Sequence, residues 1–313
     1  MQTIFTTSPA EAAKFIKRGG TVAFPTAPVY GLGADIFDEI AVAKIFEAKN
    51  RPADNPLIAH IADLRQITEL SDGVNRTAQK FIDAFFPGPL TIVLPKTDRV
   101  PRVATAGLDT IGIRMPRFEL AHQFLAECET SVAAPSANLS GSPSPTTWEA
   151  VAEDLDGRID CILQSDATEI GIESTVVDCT SETPMVLRSG SVSIEQLRAV
   201  VASTLVYDFS ETESRRSPGL RHRHYSPRAT VVIIENATGL IFESGAAYIG
   251  LNRPNAKFDR KLVCSGVAEY AHSLFEYFRE CDRLSIKKIY CEKVPESGVG
   301  VALMDRIRRA ALR

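Results

Sequence analysis

Four prolines, at positions 25, 28, 52 and 56, divide the stretch from Thr21 to Ile61 and constrain what the rest of the chain can fold into. Val22, Ala23 and Phe24 read as a short apolar strand, which Pro25 ends because proline donates nothing to a sheet ladder. A loop is expected next, running through Pro28, Gly31 and Gly33. Asp38 is placed as the N-cap of a helix over residues 39–49, with Ile40, Ala43, Phe46 and Ala48 forming a mixed apolar face. That helix must stop near Asn50, since Pro52 pushes Arg51 towards extended geometry. Lys49 and Arg51 then stand two apart where the chain opens out, so both cations can face the same way. Asn55-Pro56 repeats the device before a second strand, Leu57 to Ile61. Two cations, an asparagine and His60 thus gather at loop-to-strand joints, where sites on α/β sheets are made.

The 313 residues allow one large or two ordinary domains, and 44% hydrophobic with 24% charged residues is the balance of a soluble globular protein. No apolar run approaches the ~20 residues needed to span a bilayer. The opening MQTIFTTSPAEAAKF has no basic region followed by an apolar core, so no signal peptide is expected. Cys128, Cys161, Cys179, Cys264, Cys281 and Cys291 show no CxxC spacing and read as reduced, buried thiols of a cytoplasmic protein. A net charge of −4 argues against tRNA as the main ligand, because a surface that grips a nucleic-acid backbone is basic.

Further along, Ser8-Pro9-Ala10-Glu11 is a capping box with proline at the first helical position. Gly31-Leu32-Gly33 begins like a dinucleotide fingerprint but lacks the third glycine, and no GxxxxGK[ST] occurs. ATP, if bound, is held without either familiar phosphate loop. Residues 75–86 read as a helix ended by Pro87-Gly88-Pro89, and Leu90 to Leu94 as a strand buried on both faces. Thr110 to Met115 alternates, which places Arg114 opposite Ile111 and Ile113. An arginine there needs either a structural carboxylate or an anionic ligand. Ser131 to Ser136 is another short strand, and Ser136 and Asn138 share a face in extended chain. Alone, both are ordinary turn residues, and His60 alone reads as a tucked-in strand histidine. Thr146 to Glu149 is placed as a capping box for a helix to Leu155; strands near 159–164, 172–178 and 185–188 and a helix capped by Ser193 complete a first domain.

Asp208 to Arg228 is poor in apolar residues and rich in arginine and histidine around Tyr225. It reads either as a solvated hinge or as an arm carrying cations to a phosphate-bearing ligand. Strands near 230–234, 246–251, 261–264 and 287–292 with helices near 267–284 and 299–311 then suit a small α/β domain, with no catalytic constellation of its own. Gly298-Val299-Gly300 ahead of the last helix reads as a turn. The divisions are therefore 1–205, a basic linker over 206–228, and 229–313.

PTAPVYGLGAD, KNRPADNPL and IAHI, followed in order by FPGPLT, TAGLDTIGIRMP, AAPSANLSG, GIESTVVD, SPGLRHRHYSP and GVGVALMDRIRRAA, closely resemble the two-domain L-threonylcarbamoyladenylate synthases of the YrdC-like family. The resemblance spans nearly the whole chain. It implies a YrdC-like twisted mixed sheet with helices, plus a small Rossmann-like C-terminal α/β domain. It also implies synthesis of L-threonylcarbamoyladenylate from L-threonine, bicarbonate and ATP, with release of pyrophosphate. The family signature pairs a Lys-x-Arg with a Ser-x-Asn, which makes Lys49, Arg51, Ser136 and Asn138 the expected catalytic set. By the same pattern Thr26, His60, Arg114 and Ser174 hold threonine. Lys49, Arg51, Asn55, Thr105, Ser136, Asn138, Ser144, Arg188 and Tyr225 surround the nucleotide. Such chemistry needs no enzyme nucleophile; it needs cations around phosphates, aligned reactants and exclusion of water, and Lys49, Arg51, Arg114 and Arg188 are the candidate cations. Mg2+ is expected to arrive bound through ATP, with no dedicated protein ligands. The product is expected to pass to a separate tRNA-modifying transferase, without stable direct contact with tRNA. One departure stands out: the family reads Pro-Thr-Glu/Asp-Thr-Val-Tyr where this chain has Pro25-Thr26-Ala27-Pro28-Val29-Tyr30. The missing acid and hydroxyl keep open a carbamoyltransferase with another acceptor, beside a third reading of an RNA-binding module that uses the basic arm.

Overall fold

The computed structural model describes residues 2–168, 171–207, 225–238 and 244–312. Its first part contains β1 (Ile4–Thr6), α1 (Pro9–Ile16), β2 (Val22–Pro25), β3 (Tyr30–Asp35), α2 (Glu39–Lys49) and β4 (Ile58–His60). Then come α3 (Ile67–Leu70), α4 (Arg76–Phe85), β5 (Leu90–Pro95), β6 (Thr110–Arg114), α5 (Glu119–Cys128) and β7 (Val132–Ala134). The part ends with α6 (Trp148–Leu155), β8 (Cys161–Leu163), β9 (Thr175–Asp178), β10 (Met185–Arg188), α7 (Ile194–Val200) and β11 (Leu205–Val206). These strands form one mixed sheet in the order β1-β8-β2-β3-β7-β4-β6-β5-β9-β10-β11.

Strand alternation divides the core between the two faces of this sheet. On β2, Val22 and Phe24 pack against Ala12 and Ile16 of α1 and Phe124 of α5. Ala23, between them, belongs to the opposite layer with Ile45 of α2, Phe81 of α4 and Val151 of α6. The second part contains β12 (Thr230–Ile234), β13 (Ala246–Gly250), β14 (Arg260–Val263), α8 (Val267–Arg283), β15 (Lys288–Glu292) and α9 (Val299–Ala311). Its four strands are all parallel, in the order β12-β15-β13-β14. Its core joins Ile249 and Ile289 to Phe275 and Leu303, and also takes in Val29, Ile172 and Tyr225. The small domain therefore packs directly on loops of the large one.

Local chemistry sets the element ends. Asp38 caps α2 by accepting from the backbone N–H groups of Ile40 (2.9 Å) and Ala41 (3.0 Å). Asn50 closes that helix in the left-handed conformation, φ 50°. Ser193 and Gln196 complete the capping box of α7. Two expected boxes differ. Ser8 does accept from Glu11 N, but the Glu11 carboxylate takes the Thr6 hydroxyl (2.7 Å) instead of closing the box. The cap of α6 is Thr147, one residue later than placed, because its hydroxyl is the one that reaches Ala150 N (3.2 Å). Part of the expected arm, 208–224, lies outside the described residues.

The loop expected through Gly31 and Gly33 is instead strand β3, antiparallel to β2. Its glycines serve close approach rather than a turn. A Cβ on Gly33 would stand 2.5 Å from Val132 Cγ1 and 2.9 Å from the Phe24 ring. Gly33→Ala is expected to overpack this junction and cost about 1–3 kcal/mol, read as a lower urea midpoint at unchanged slope. A midpoint equal to wild type would mean that Val132 and Phe24 move aside freely.

Candidate active site

The termini of β2, β4, β6, β9 and β10 and the loops that leave them surround a cleft, the kind of concave surface on which small molecules bind. Nine of the thirteen residues singled out above line it: Thr26, Arg51, His60, Arg114, Ser136, Asn138, Ser174, Arg188 and Tyr225. Lys49, Asn55, Thr105 and Ser144 are buried behind the wall. Tyr30, Gly31, Ser142 and Glu173 also line the cleft and were not singled out from the sequence.

The cations are held mostly by backbone oxygens. Arg114 leaves β6 and donates through Nε to Gly88 O (3.1 Å), through Nη1 to the Thr26 hydroxyl (3.2 Å) and through Nη2 to Thr26 O (2.7 Å) and Ala27 O (3.3 Å). Arg188, at the end of β10, donates through Nη2 to Ser174 O (2.9 Å) and Oγ (3.1 Å). Arg51, past the Asn50 turn, donates to Asn55 O (3.3 Å) and Pro56 O (3.2 Å). Among the described residues, neither Arg51 nor Arg114 forms an ion pair with a carboxylate. Of the two partners considered for Arg114, a structural carboxylate and an anionic ligand, the described residues supply no carboxylate. Burial, with repulsion from Arg188 added, pushes Arg114 down to about 9 and Arg51 down to about 10; both stay charged at neutral pH.

Lys49 is placed differently from Arg51. The two were expected to face the same way, yet Lys49 is the last residue of α2, 1% exposed, and does not line the cleft. Its ammonium donates to Ser136 O (2.6 Å) and Asn138 O. The left-handed turn at Asn50 separates the two side chains, so one points into the wall and the other into the cleft. Burial and then Arg51 hold the Lys49 amine well below its ordinary range. What Lys49 grips is the Ser-x-Asn loop, where the Ser136 hydroxyl donates to Asn138 Oδ1 (2.5 Å) and the Asn138 amide to Leu139 O and Ser142 O. Ser136 sits opposite Gly31 in a β-bridge, and a Cβ on Gly31 would come within 3.2–3.3 Å of Thr26 and Ala134. Thr105 bonds Leu108 O (2.8 Å) in the turn whose Ala104 carbonyl takes Leu57 N, and the Asn55 carbonyl orients Arg51.

Arginines of the small domain join it to this wall. Ser144 donates to Glu173 Oε1 (2.6 Å), and Arg306 of α9 donates to Glu173 Oε2 (2.9 Å). Arg279 of α8 pairs with Asp154 (2.8 Å) and donates to Pro143 O (2.6 Å), while Asp154 takes Leu139 N (3.0 Å). Tyr225 adopts φ 64°, stacks on Phe275 at 5.3 Å and lines the cleft. Burial raises its phenol above the ordinary range, so it stays neutral. The six cysteines are buried and none lines the cleft.

Residues 14–190 match the sequence profile of the Sua5–YciO–YrdC family, described as telomere recombination, and residues 192–312 match a threonylcarbamoyl-AMP synthase C-terminal domain. The chain belongs to the Sua5–YciO–YrdC family. Within that family, it is 41% identical over 96% of its length to the threonylcarbamoyl-AMP synthase of Pyrococcus abyssi, covering 93% of that protein. It is 40% identical over 96% of its length to the enzyme of the same name in Bacillus subtilis, covering 92% of it. In structure it is similar to P. abyssi Sua5 complexed with L-threonine, with a TM-score of 0.91 and 38% identity over 99% of this chain and 98% of that one. The YrdC-like mixed sheet with a small α/β domain, expected from the sequence motifs, is the fold of this Sua5-family chain.

His60 lines the cleft, donates from Nδ1 to Ile58 O (3.1 Å) and meets the edge of Phe24 at 5.8 Å. Burial, followed by the Arg114 charge, pushes its imidazole down to about 3. An unfolded histidine titrates near 6.5. The stabilisation is therefore complete above that pH and lost as pH falls from about 6.5 to 3, where only the unfolded chain takes the proton. The stability of wild type relative to His60→Gln is expected to fall by up to ~1.4 kcal/mol per pH unit between pH 6 and 4. A difference independent of pH would show that His60 titrates normally in the folded protein.

Proposed function

We propose that this chain is a threonylcarbamoyl-AMP synthase, joining L-threonine, bicarbonate and ATP into L-threonylcarbamoyladenylate and releasing pyrophosphate. The observation that carries the reading is the convergence of Arg51, Arg114 and Arg188 on one cleft that also holds a neutral histidine. In this reading the threonine amine takes up carbon dioxide as a carbamate. A carbamate oxygen then attacks the α-phosphorus of ATP, and the bond to the β-phosphate breaks as pyrophosphate leaves. No protein nucleophile is required. The protein contributes positive charge aimed at the phosphates and a closed wall that keeps water from the mixed anhydride.

Threonine is assigned to the Thr26–His60–Arg114–Ser174 end, and the nucleotide to the end with Arg51, Ser136, Asn138, Arg188 and Tyr225. The first assignment is consistent with the Ala27-Pro28 departure. Arg114 takes the carbonyls of Thr26 and Ala27, and the Pro28 carbonyl accepts from the Thr168 hydroxyl (2.8 Å) and Gly171 N (3.1 Å). These contacts use backbone oxygens and do not depend on the side chains at 27 and 28. Magnesium is assigned to the ATP phosphates and water. Among the described residues Glu173 is the one carboxylate in the lining, and its two oxygens are engaged by Ser144 and Arg306. The product is a reactive anhydride, which suits prompt use by a separate tRNA-modifying transferase.

Pyrophosphate release that requires ATP, bicarbonate and threonine together tests the reaction, and two variants test the site. Arg51→Ala is expected to lower kcat/KM by ~10²–10³ while changing stability by less than about 1 kcal/mol, since its protein hydrogen bonds are long. Lys49→Ala is expected to lose activity together with about 1–3 kcal/mol of stability, because two buried carbonyls lose their donor. Near-normal turnover in Arg51→Ala would remove the phosphates from this cleft.

A further inference from the structure

The last helix carries a charge that the reaction itself does not call for. Arg306 is fully buried at the junction of the two domains, 133 residues along the chain from Glu173. Its Nε donates to Glu173 Oε2, its Nη2 donates to Ser189 O (3.0 Å), and its guanidinium carbon lies 5.2 Å from the centre of the Tyr225 ring. Among the described residues, Glu173 is the only acidic one in the lining of a cleft that also holds Arg51, Arg114 and Arg188. A bare carboxylate at that position would oppose any polyanionic substrate. Asp305 takes the other side of the guanidinium at Nη1 (2.5 Å) and is also held by Arg309 (3.0 Å), so of the two carboxylates on Arg306 it is Glu173 that lines the cleft.

We infer that Arg306 is a positioning residue of the active site: it neutralises Glu173 and holds that carboxylate on Ser144, so that the small domain sets the charge of the phosphate-binding wall. The inference rests on the reading that the cleft takes ATP. Geometry gives it a direction. One carboxylate oxygen faces the Ser144 hydroxyl at 2.6 Å and the other faces the guanidinium at 2.9 Å, so Glu173 acts as a bridge with a protein donor on each oxygen. Removing Arg306 turns the bridge into an unpaired anion at the wall, whereas removing the Glu173 charge does not.

Steady-state pyrophosphate release in the full-length protein separates these roles. Arg306→Gln is expected to raise KM for ATP roughly 10–100-fold, the usual cost of losing an outer positioning contact, with a much smaller change in kcat. Adding Glu173→Gln to Arg306→Gln should recover most of that loss, because the charges interact as a pair. Glu173→Gln alone should raise KM for ATP far less than Arg306→Gln does. If Arg306→Gln does not fold, Arg306→Lys, which keeps the charge, should show a KM for ATP close to wild type; a loss as large as that expected for Arg306→Gln overturns the inference. The inference is overturned by an unchanged KM in Arg306→Gln, or by a double variant no better than Arg306→Gln. It is equally overturned by a Glu173→Gln defect as large as that expected for Arg306→Gln, which would put the carboxylate itself on the substrate. Failure of the wild-type protein to release pyrophosphate would instead sink the reading of the cleft.

Discussion

Burying a cation without a carboxylate beside it costs several kcal/mol, and among the described residues Arg114 is buried and Arg51 half-buried in this way beside one cleft. The cost is offset by aiming backbone carbonyls at the charges. The carbonyls of Thr26, Ala27 and Gly88 converge on Arg114, that of Ser174 on Arg188, those of Asn55 and Pro56 on Arg51, and those of Ser136 and Asn138 on Lys49. Carbonyl dipoles hold a cation in place but leave its charge uncancelled. A phosphate or carboxylate that enters therefore meets an electrostatic field fixed before it arrives, and little reorganisation is needed when charge develops on the leaving group.

Carbonyls can be aimed this way only where the backbone is irregular, and that accounts for the prolines and odd dihedrals at the site. Ala27 sits at φ 39° and Asn50 at φ 50°, conformations that non-glycine residues adopt at a cost. Their loops are kept in place from outside. α8 reaches over with Arg279 to Asp154 and Pro143, and α9 with Arg306 to Glu173 and Ser189. The small domain brings no lining side chain of its own from α8 or α9, yet its core includes Val29, Ile172 and Tyr225 from the cleft's surroundings. It packs against a wall that the large sheet alone leaves as loops.

Much of this was legible in the sequence, for physical reasons that can be named. Asp38, Pro52 and the apolar face of residues 39–49 determine α2 because capping, ring sterics and periodicity agree there. Strand alternation puts Arg114 on the face away from Ile111 and Ile113, and it is buried there because the backbone of Thr26, Ala27 and Gly88 covers it. The ordered motifs gave the family, and nine of the residues carried over from them line one cleft. Sequence reasoning failed where a residue's role depends on a distant partner. Gly31 and Gly33 read as turn residues, because the close approach of Val132, Phe24 and Ala134 that they allow appears only once the sheet is assembled. Lys49 and Arg51 read as a pair because the left-handed turn at Asn50 leaves no mark in a two-residue spacing. Glu173 and Arg306 were missed entirely, since 133 residues separate them and no local pattern links an acid after a glycine to an arginine in the last helix.

The central claim is that the cleft is an electrostatic socket, destabilised by its own cations until an anion fills it. Thermal unfolding with saturating adenosine, AMP, ATP or pyrophosphate tests this most directly, because ligand binding to the folded state raises Tm by mass action. Each added phosphate is predicted to raise Tm further, with pyrophosphate alone stabilising the protein and adenosine alone having little effect. A rise with adenosine as large as that with ATP, and none with pyrophosphate, would contradict the account.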